Sequence, residues 1–266
     1  MIRIQKGAEP QILLSNKSKW TTDLLNLVSK YHSYDKIPQK AKDAATKFYR
    51  HPEIQTALKG ANGLAKCVYC ESSVDLTSPC TIEHYHPKSL YPNETFEWDN
   101  LFACCGLCNS SKNDFDTYKQ PFIHPENEDP EDFLTFEDMM YVPKFKTGIE
   151  CQKAENVIVQ CNLQRTPLIQ EHAQIMISFV NCCNAIKENL EKYSTYERES
   201  SKISVLSKIY GVLCGLKKES SNEAKYSGFM RYLLRKSETV KSAVDLVNQH
   251  KSDVGLTNDF DWGFVF

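Results

Sequence analysis

The stretch that decides the fold runs from Cys67 to Lys112: Cys67-Val-Tyr-Cys70, then Ile82-Glu83-His84-Tyr85-His86-Pro87-Lys88-Ser89, then Cys105-Gly-Leu-Cys108-Asn109-Ser-Ser-Lys112. Two Cys-x-x-Cys knuckles bracket a carboxylate and two imidazoles, and the second knuckle runs straight into an amide. Four thiolates suit a closed tetrahedral zinc site, because two residues between paired cysteines let one turn present both sulfurs. A carboxylate and an amide oxygen instead suit a hard cation that keeps several waters. The expected zinc ligands are Cys67, Cys70, Cys105 and Cys108. Cys104 could replace Cys105 only with a less regular spacing, and Cys80 reads as a packed thiol. So short and polar a segment has too little core of its own, and structural zinc supplies the missing folding free energy.

Composition is that of a globular chain. Of 266 residues, 41% are hydrophobic and 25% charged, and no apolar run approaches the roughly 18–20 residues of a membrane span. The N-terminal decapeptide lacks the apolar stretch of a signal peptide. Eleven cysteines, an odd total, with no export signal argue against a disulfide framework and for a reducing cytoplasm. A net charge of −2 argues against a tight, self-sufficient DNA binder. It leaves room for a local basic groove, since phosphate affinity depends on where Lys and Arg sit.

Working outward, residues 1–15 read as an extended lead-in. Helices are expected from Trp20 to Tyr31, from Pro38 through Phe48, and from Pro52 past Leu58; Gly60 and Gly63 then loosen the chain. Thr81–Tyr85 reads as a strand ended by Pro87, and 106–114 as a short helix. Pro125–Asp132 reads as a solvated acidic loop. From Pro167 to His250 apolar residues recur at helical spacing, Ile169, Ala173, Met176, Val180, Cys183, Ile186 and Leu190 among them. The aromatic end, Asn258-Asp-Phe-Asp-Trp-Gly-Phe-Val-Phe266, either docks on the core or meets a partner. His32, His51, His124, His172 and His250 read as packing or surface residues, and Cys182-Cys183 as packing thiols.

The expected fold class is α+β, mainly α-helical. A zinc-stapled core at 65–120 lies between N-terminal helices (1–64) and a C-terminal helical region (167–266), with an acidic connecting segment at 121–166. Zinc would lock the strand carrying Glu83 against the helix carrying Asn109. His84 could take a proton from an attacking water, because imidazole titrates near working pH. Neighbouring strand residues point to opposite faces, so Glu83 and His84 converge only if the strand ends or twists there. His86 is a further candidate, as second support or alternative base.

The residues Cys67-x-x-Cys70, Ile82-Glu83-His84-x-x-Pro87-x-Ser89, Trp98-Asp-Asn100-Leu101 and Cys105-x-x-Cys108-Asn109-x-x-Lys112 resemble those of an HNH (ββα-metal) endonuclease. Three further strings resemble the nuclease subunit of Septu-type anti-phage systems and their retron-linked relatives: the N-terminal Ile-Gln-Lys-Gly-Ala-Glu-Pro-Gln-Ile-Leu, Arg50-His-Pro-Glu-Ile, and His124-Pro-Glu-Asn-Glu-Asp-Pro-Glu-Asp-Phe-Leu. The likeness covers about residues 1–165. It implies Glu83 and Asn109 as ligands of a catalytic Mg2+ or Mn2+, His84 as general base, and Asn100 as the residue orienting the base and fixing its loop. Lys112 and Lys88 are candidate phosphate clamps. The metal would act as Lewis acid and template. The resemblance also implies an ABC/SMC-like ATPase partner, which this chain, lacking a Walker A string, cannot itself supply. Retron components are a further candidate association, and DNA is preferred to RNA as target. Two other readings stay open: a zinc-stapled binding module without activity, and a stand-alone restriction-type nuclease.

Overall fold

The computed structural model describes residues 1–60, 66–74 and 80–264. Gly63, the expected boundary at 64–65 and the last two aromatic-tail residues lie outside those described. The chain divides into two compact units, Met1–Arg165 and Thr166–Phe266.

The first unit begins with an extended strap. Ile4 donates its amide to the Pro125 carbonyl, Lys6 Nζ donates to the Trp98 carbonyl at 2.5 Å, and the Trp98 indole donates to the Gly7 carbonyl at 3.1 Å. Helix α1 spans Gln11–Tyr31, nine residues earlier than the periodicity suggested. Its buried residues, Leu13, Trp20 and Leu24, recur at seven and four and so form one stripe. The intervening polar run Ser15–Lys19 masked that stripe. Helices α2 (Gln39–Thr46) and α3 (Pro52–Gly60) follow, with prolines at their starts as expected.

Strands β1 (Thr81–His84) and β2 (Leu101–Cys104) pair antiparallel, with Glu83 opposite Phe102 and His84 opposite Leu101. Helix α4 (Gly106–Lys112) returns against β1, completing a strand–strand–helix motif. Its first turn is closed by the Cys105 sulfur, which accepts from the Cys108 amide. The N-terminal helices share one core with this hairpin: Leu13, Trp20, Leu24, Ile54, Leu58, Ile82, Leu101 and Ala103 cluster together. Trp20 also stacks flat on Phe48, with centroids 4.8 Å apart.

The segment after α4 is more ordered than a solvated acidic loop. Glu126 pairs with Lys6 at 3.3 Å, Glu128 pairs with Lys153, and Asp129 caps the short α5 (Pro130–Phe133). A second hairpin, β3 (Leu134–Glu137) and β4 (Met140–Pro143), and α6 (Ile149–Gln160) complete the unit. Like charges form structure here because Glu126, Glu128 and Asp129 each have a cation or an amide to receive them.

The second unit is helical: α7 (Thr166–Thr195), α8 (Glu199–Glu219), α9 (Ser227–Lys236) and α10 (Glu238–Gln249). Its core draws on Ile186, Leu206, Ile209, Leu213, Phe229, Leu233, Val240 and Val247. Val180, expected inside, is 46% exposed. The aromatic tail docks on its own unit: Trp262 is buried, and the Phe260 amide donates to Asn248 Oδ1 at 2.7 Å. No helix of the described residues is long and apolar enough to cross a membrane.

Candidate active site

The four knuckle cysteines converge. The sulfurs of Cys67, Cys70, Cys105 and Cys108 all lie within 4.8 Å of one another and are buried. A Zn–S bond of about 2.3 Å in a tetrahedron requires sulfur–sulfur edges of about 3.8 Å. Cys70 and Cys105 sit 3.8 Å apart, so the donor set fits zinc in both chemistry and size. Cys104 is not among the four, although its sulfur lies 3.6 Å from that of Cys67. Arg165 donates from Nη1 toward the Cys108 sulfur at 3.6 Å, placing a positive charge beside a site that four thiolates and one Zn2+ would leave negative. No spacing pattern in the sequence links Arg165 to cysteines nearly sixty residues earlier.

β1 then distributes the reactive side chains. Glu83 and His84 leave opposite faces of the strand, as adjacent strand residues must. Glu83 enters a buried pocket, where its Oε1 is 2.6 Å from Lys112 Nζ and accepts from the Tyr69 hydroxyl at 3.3 Å. Burial raises the Glu83 pKa while Lys112 draws it down. Lys112 also donates to the His84 carbonyl at 3.0 Å and is itself only 1% exposed. This corrects its expected role. An ammonium committed to a buried carboxylate and a carbonyl is not presented to a phosphate; it ties α4 to β1.

Asn109 lies one turn before Lys112 on α4. Its Nδ2 donates to Thr81 Oγ1 at 2.9 Å and to the Ile82 carbonyl at 3.3 Å. With the amide nitrogen tied to the strand, Oδ1 has no hydrogen-bond partner among the described residues. A half-buried, free amide oxygen is a suitable donor for a hard cation. Glu83 lies on the same strand, two residues after Thr81, with its charge balanced by Lys112.

His84 sits on the other side, 5% exposed. Its Nε2 lies 3.0 Å from the Thr95 carbonyl. A carbonyl only accepts, so Nε2 carries the proton and Nδ1 keeps its lone pair. Tyr49 meets the ring edge-on at 4.7 Å. Burial, followed by the charge of Lys88, pushes the His84 pKa down to about 3, with Lys112 and Arg50 contributing. The imidazole is therefore neutral at pH 7. Sequence reading missed the Thr95 carbonyl, because any residue type can supply a backbone acceptor.

Asn100 is buried at the loop that carries these groups. Its Oδ1 accepts from the His86 amide at 2.6 Å, and its Nδ2 donates to the carbonyls of His86 and Glu94. It thus ties the turn after His84 to the residue preceding Thr95 and makes no hydrogen bond to the His84 ring among the described residues. His86 turns away from His84: its Nδ1 is 2.7 Å from Thr117 Oγ1, and its ring lies flat on Tyr118. Lys88 is half-buried near Glu83 and Asp114, whose charges partly offset the burial that lowers its pKa.

Among known proteins, residues 67–115 match the HNH endonuclease family. The chain is 29% identical over 135 residues to Septu protein PtuB of Bacillus thuringiensis, covering 50% of this chain and 46% of that relative. It is 29% identical over 208 residues to Septu protein PtuB of Bacillus mycoides (strain KBAB4), covering 66% of this chain and 67% of that one. The alignment thus spans about half the length of the first relative and two thirds of the second. Two knuckles that bring four thiols together, a strand–strand–helix motif and the family match over the same residues agree: the chain carries an HNH endonuclease domain.

Proposed function

We propose that this protein is a metal-dependent nuclease that hydrolyses phosphodiester bonds in nucleic acid, as the effector of an anti-phage defence system. The observation carrying this reading is His84, a neutral imidazole whose Nε2 is held by the Thr95 carbonyl and whose Nδ1 retains its lone pair. Nδ1 takes a proton from water as the water oxygen attacks phosphorus and the bond to the 3′ oxygen breaks. Arg50 and Lys88 are the cations that would meet the phosphate. Their charge helps to hold the His84 pKa down, so a bound phosphate raises the basicity of Nδ1 as substrate arrives. Glu83 and Asn109 would hold the catalytic Mg2+ or Mn2+, which when bound supplies Lewis-acid stabilisation of the leaving oxygen. Asn100 positions the loop, and zinc on the four cysteines fixes α4 against the hairpin.

The test offers plasmid, linear DNA and total RNA to the purified chain with Mg2+ or Mn2+, alone and with a co-encoded ATPase. Removing a general base costs on the order of 10²–10⁴ in rate, so His84→Ala should lose cleavage by that factor while retaining zinc. Wild-type cutting by the variant would end the mechanism. The ATPase of the ABC/SMC-like kind and the preference for DNA follow from the likeness to Septu proteins. Deleting residues 166–266 should then abolish co-purification with that ATPase; an intact complex after deletion would remove the helical unit as the docking element. The Lys112–Glu83 pair favours one competing reading, a zinc-stapled binding module without activity. That reading predicts nucleic-acid binding with no cleavage under any of these conditions.

A further inference from the structure

Beside the candidate active site lies an aromatic cluster that none of the roles above uses. The His86 ring stacks on Tyr118 with centroids 3.7 Å apart and planes within 6°. Tyr91 meets Tyr118 edge-on at 4.7 Å and His86 at 6.1 Å. Both tyrosine hydroxyls and one ring nitrogen of His86 are tied down. Tyr118 donates its hydroxyl to Glu94 Oε1 at 3.0 Å, and Tyr91 donates to Asp116 Oδ1 at 2.7 Å. The Thr117 hydroxyl donates to the Tyr85 carbonyl at 2.8 Å, so it can only accept from His86, which fixes the Nδ1–H tautomer. The rings are thus held in place from beneath, yet Tyr118 remains 57% exposed.

A large, flat, rigidly supported aromatic ring left in water is costly for folding alone, because it forgoes apolar burial. It suits a ligand that is itself flat, since the conformational entropy of ordering the ring has already been lost on folding. The charges around it narrow the choice. Glu94 at the rim repels a phosphate and tolerates a neutral heterocycle, while Asp116 is balanced by Lys119 at 3.1 Å. Two basic groups of the reacting region, Lys88 and Arg50, act on His84, two residues before His86. We propose that the exposed face of Tyr118 stacks an unpaired nucleobase adjoining the scissile phosphate, so that the enzyme engages nucleic acid at single-stranded or locally opened positions. This deepens the nuclease reading of the same site and rests on it for the identity of the neighbouring phosphate.

The test is binding, separate from cutting. Full-length His84→Ala protein is titrated with fluorescently labelled dA12, rA12 and an all-abasic 12-mer with the same phosphate backbone. Base–aromatic stacking is worth about five- to 140-fold in affinity per base. The strands bearing bases should therefore bind tighter than the abasic one by that order. Adding Tyr118→Ala should collapse the ratio, and Tyr118→Phe should preserve it. Comparing dA12 with rA12 distinguishes a DNA from an RNA source of the base. Equal affinity for abasic and base-bearing strands, or an unchanged ratio in Tyr118→Ala, would overturn the proposal. Should Tyr118→Ala fail to fold, the abasic comparison on the folded chain and Tyr118→Phe still decide it. Loss of the ratio in a chain whose wild type cuts nothing would sink the nuclease reading and leave the stacking platform standing.

Discussion

At the scale of single residues, burial sets the chemistry of the imidazoles. His86 has its pKa lowered to about 4, first by burial and then by the charges of His124 and Lys112. In the unfolded chain the same group titrates near its ordinary 6.5. Between those values the unfolded form binds a proton that the folded form refuses, so stability is full above about pH 6.5 and falls as the pH drops toward 4. Thermal melts from pH 7.5 to 4.5 should descend over that window, and His86→Asn should flatten the descent; an identical slope in the variant would count against it. The Lys112–Glu83 pair makes a different demand. Removing one partner of a buried pair leaves an uncompensated charge and costs about 3–5 kcal/mol. Lys112→Met should therefore lower the urea midpoint sharply, and adding Glu83→Leu should recover much of the loss. Glu83, His84, Asn100 and Asn109 were singled out from their order along the chain. What the side chains of Glu83 and His84 touch was not legible, because the Tyr69 hydroxyl and the Thr95 carbonyl come from positions that no spacing links to them.

At the scale of elements, Cys-x-x-Cys spacing was enough to pick out the four sulfurs that the fold brings together. Prolines 38 and 52 marked two helix starts for a physical reason: a fixed φ and a missing donor do no harm in a first turn. The β3–β4 hairpin was hidden. Its two-residue turn is Asp138-Met139, with φ of 45° and 69°. A turn with both central residues at positive φ ordinarily advertises itself by Asn-Gly or Asp-Gly, and methionine gives no such signal. Met139→Gly should relieve the left-handed strain and raise the melting temperature, provided the lost side chain contributes less; a lower value would show that it does not. The knuckles carry the larger prediction. Structural zinc is worth about 10–16 kcal/mol of apparent folding free energy in small modules. Cys70→Ser should thus lose bound zinc by elemental analysis and unfold the hairpin–α4 motif, seen as loss of near-ultraviolet circular dichroism.

At the scale of the whole molecule, the helical character was legible from periodicity. The sharing of one core between the N-terminal helices and the nuclease hairpin was not, because it depends on Trp20, Ile54 and Leu101, far apart along the chain, meeting in one cluster. The acidic stretch was misread as solvated for the same kind of reason: Lys6 and Lys153, which receive its carboxylates, lie far off in sequence. Last, the closing residues of the first unit bear on how it can be trimmed. Leu163 is buried, Gln164 donates to the Tyr141 carbonyl at 3.0 Å, and Arg165 reaches the Cys108 sulfur. An expression boundary set at residue 160, where α6 ends, would strip a cation from beside the thiolates. One set at 166 keeps that neutralising arm, and the shorter fragment should surrender its zinc to a chelator sooner than the longer.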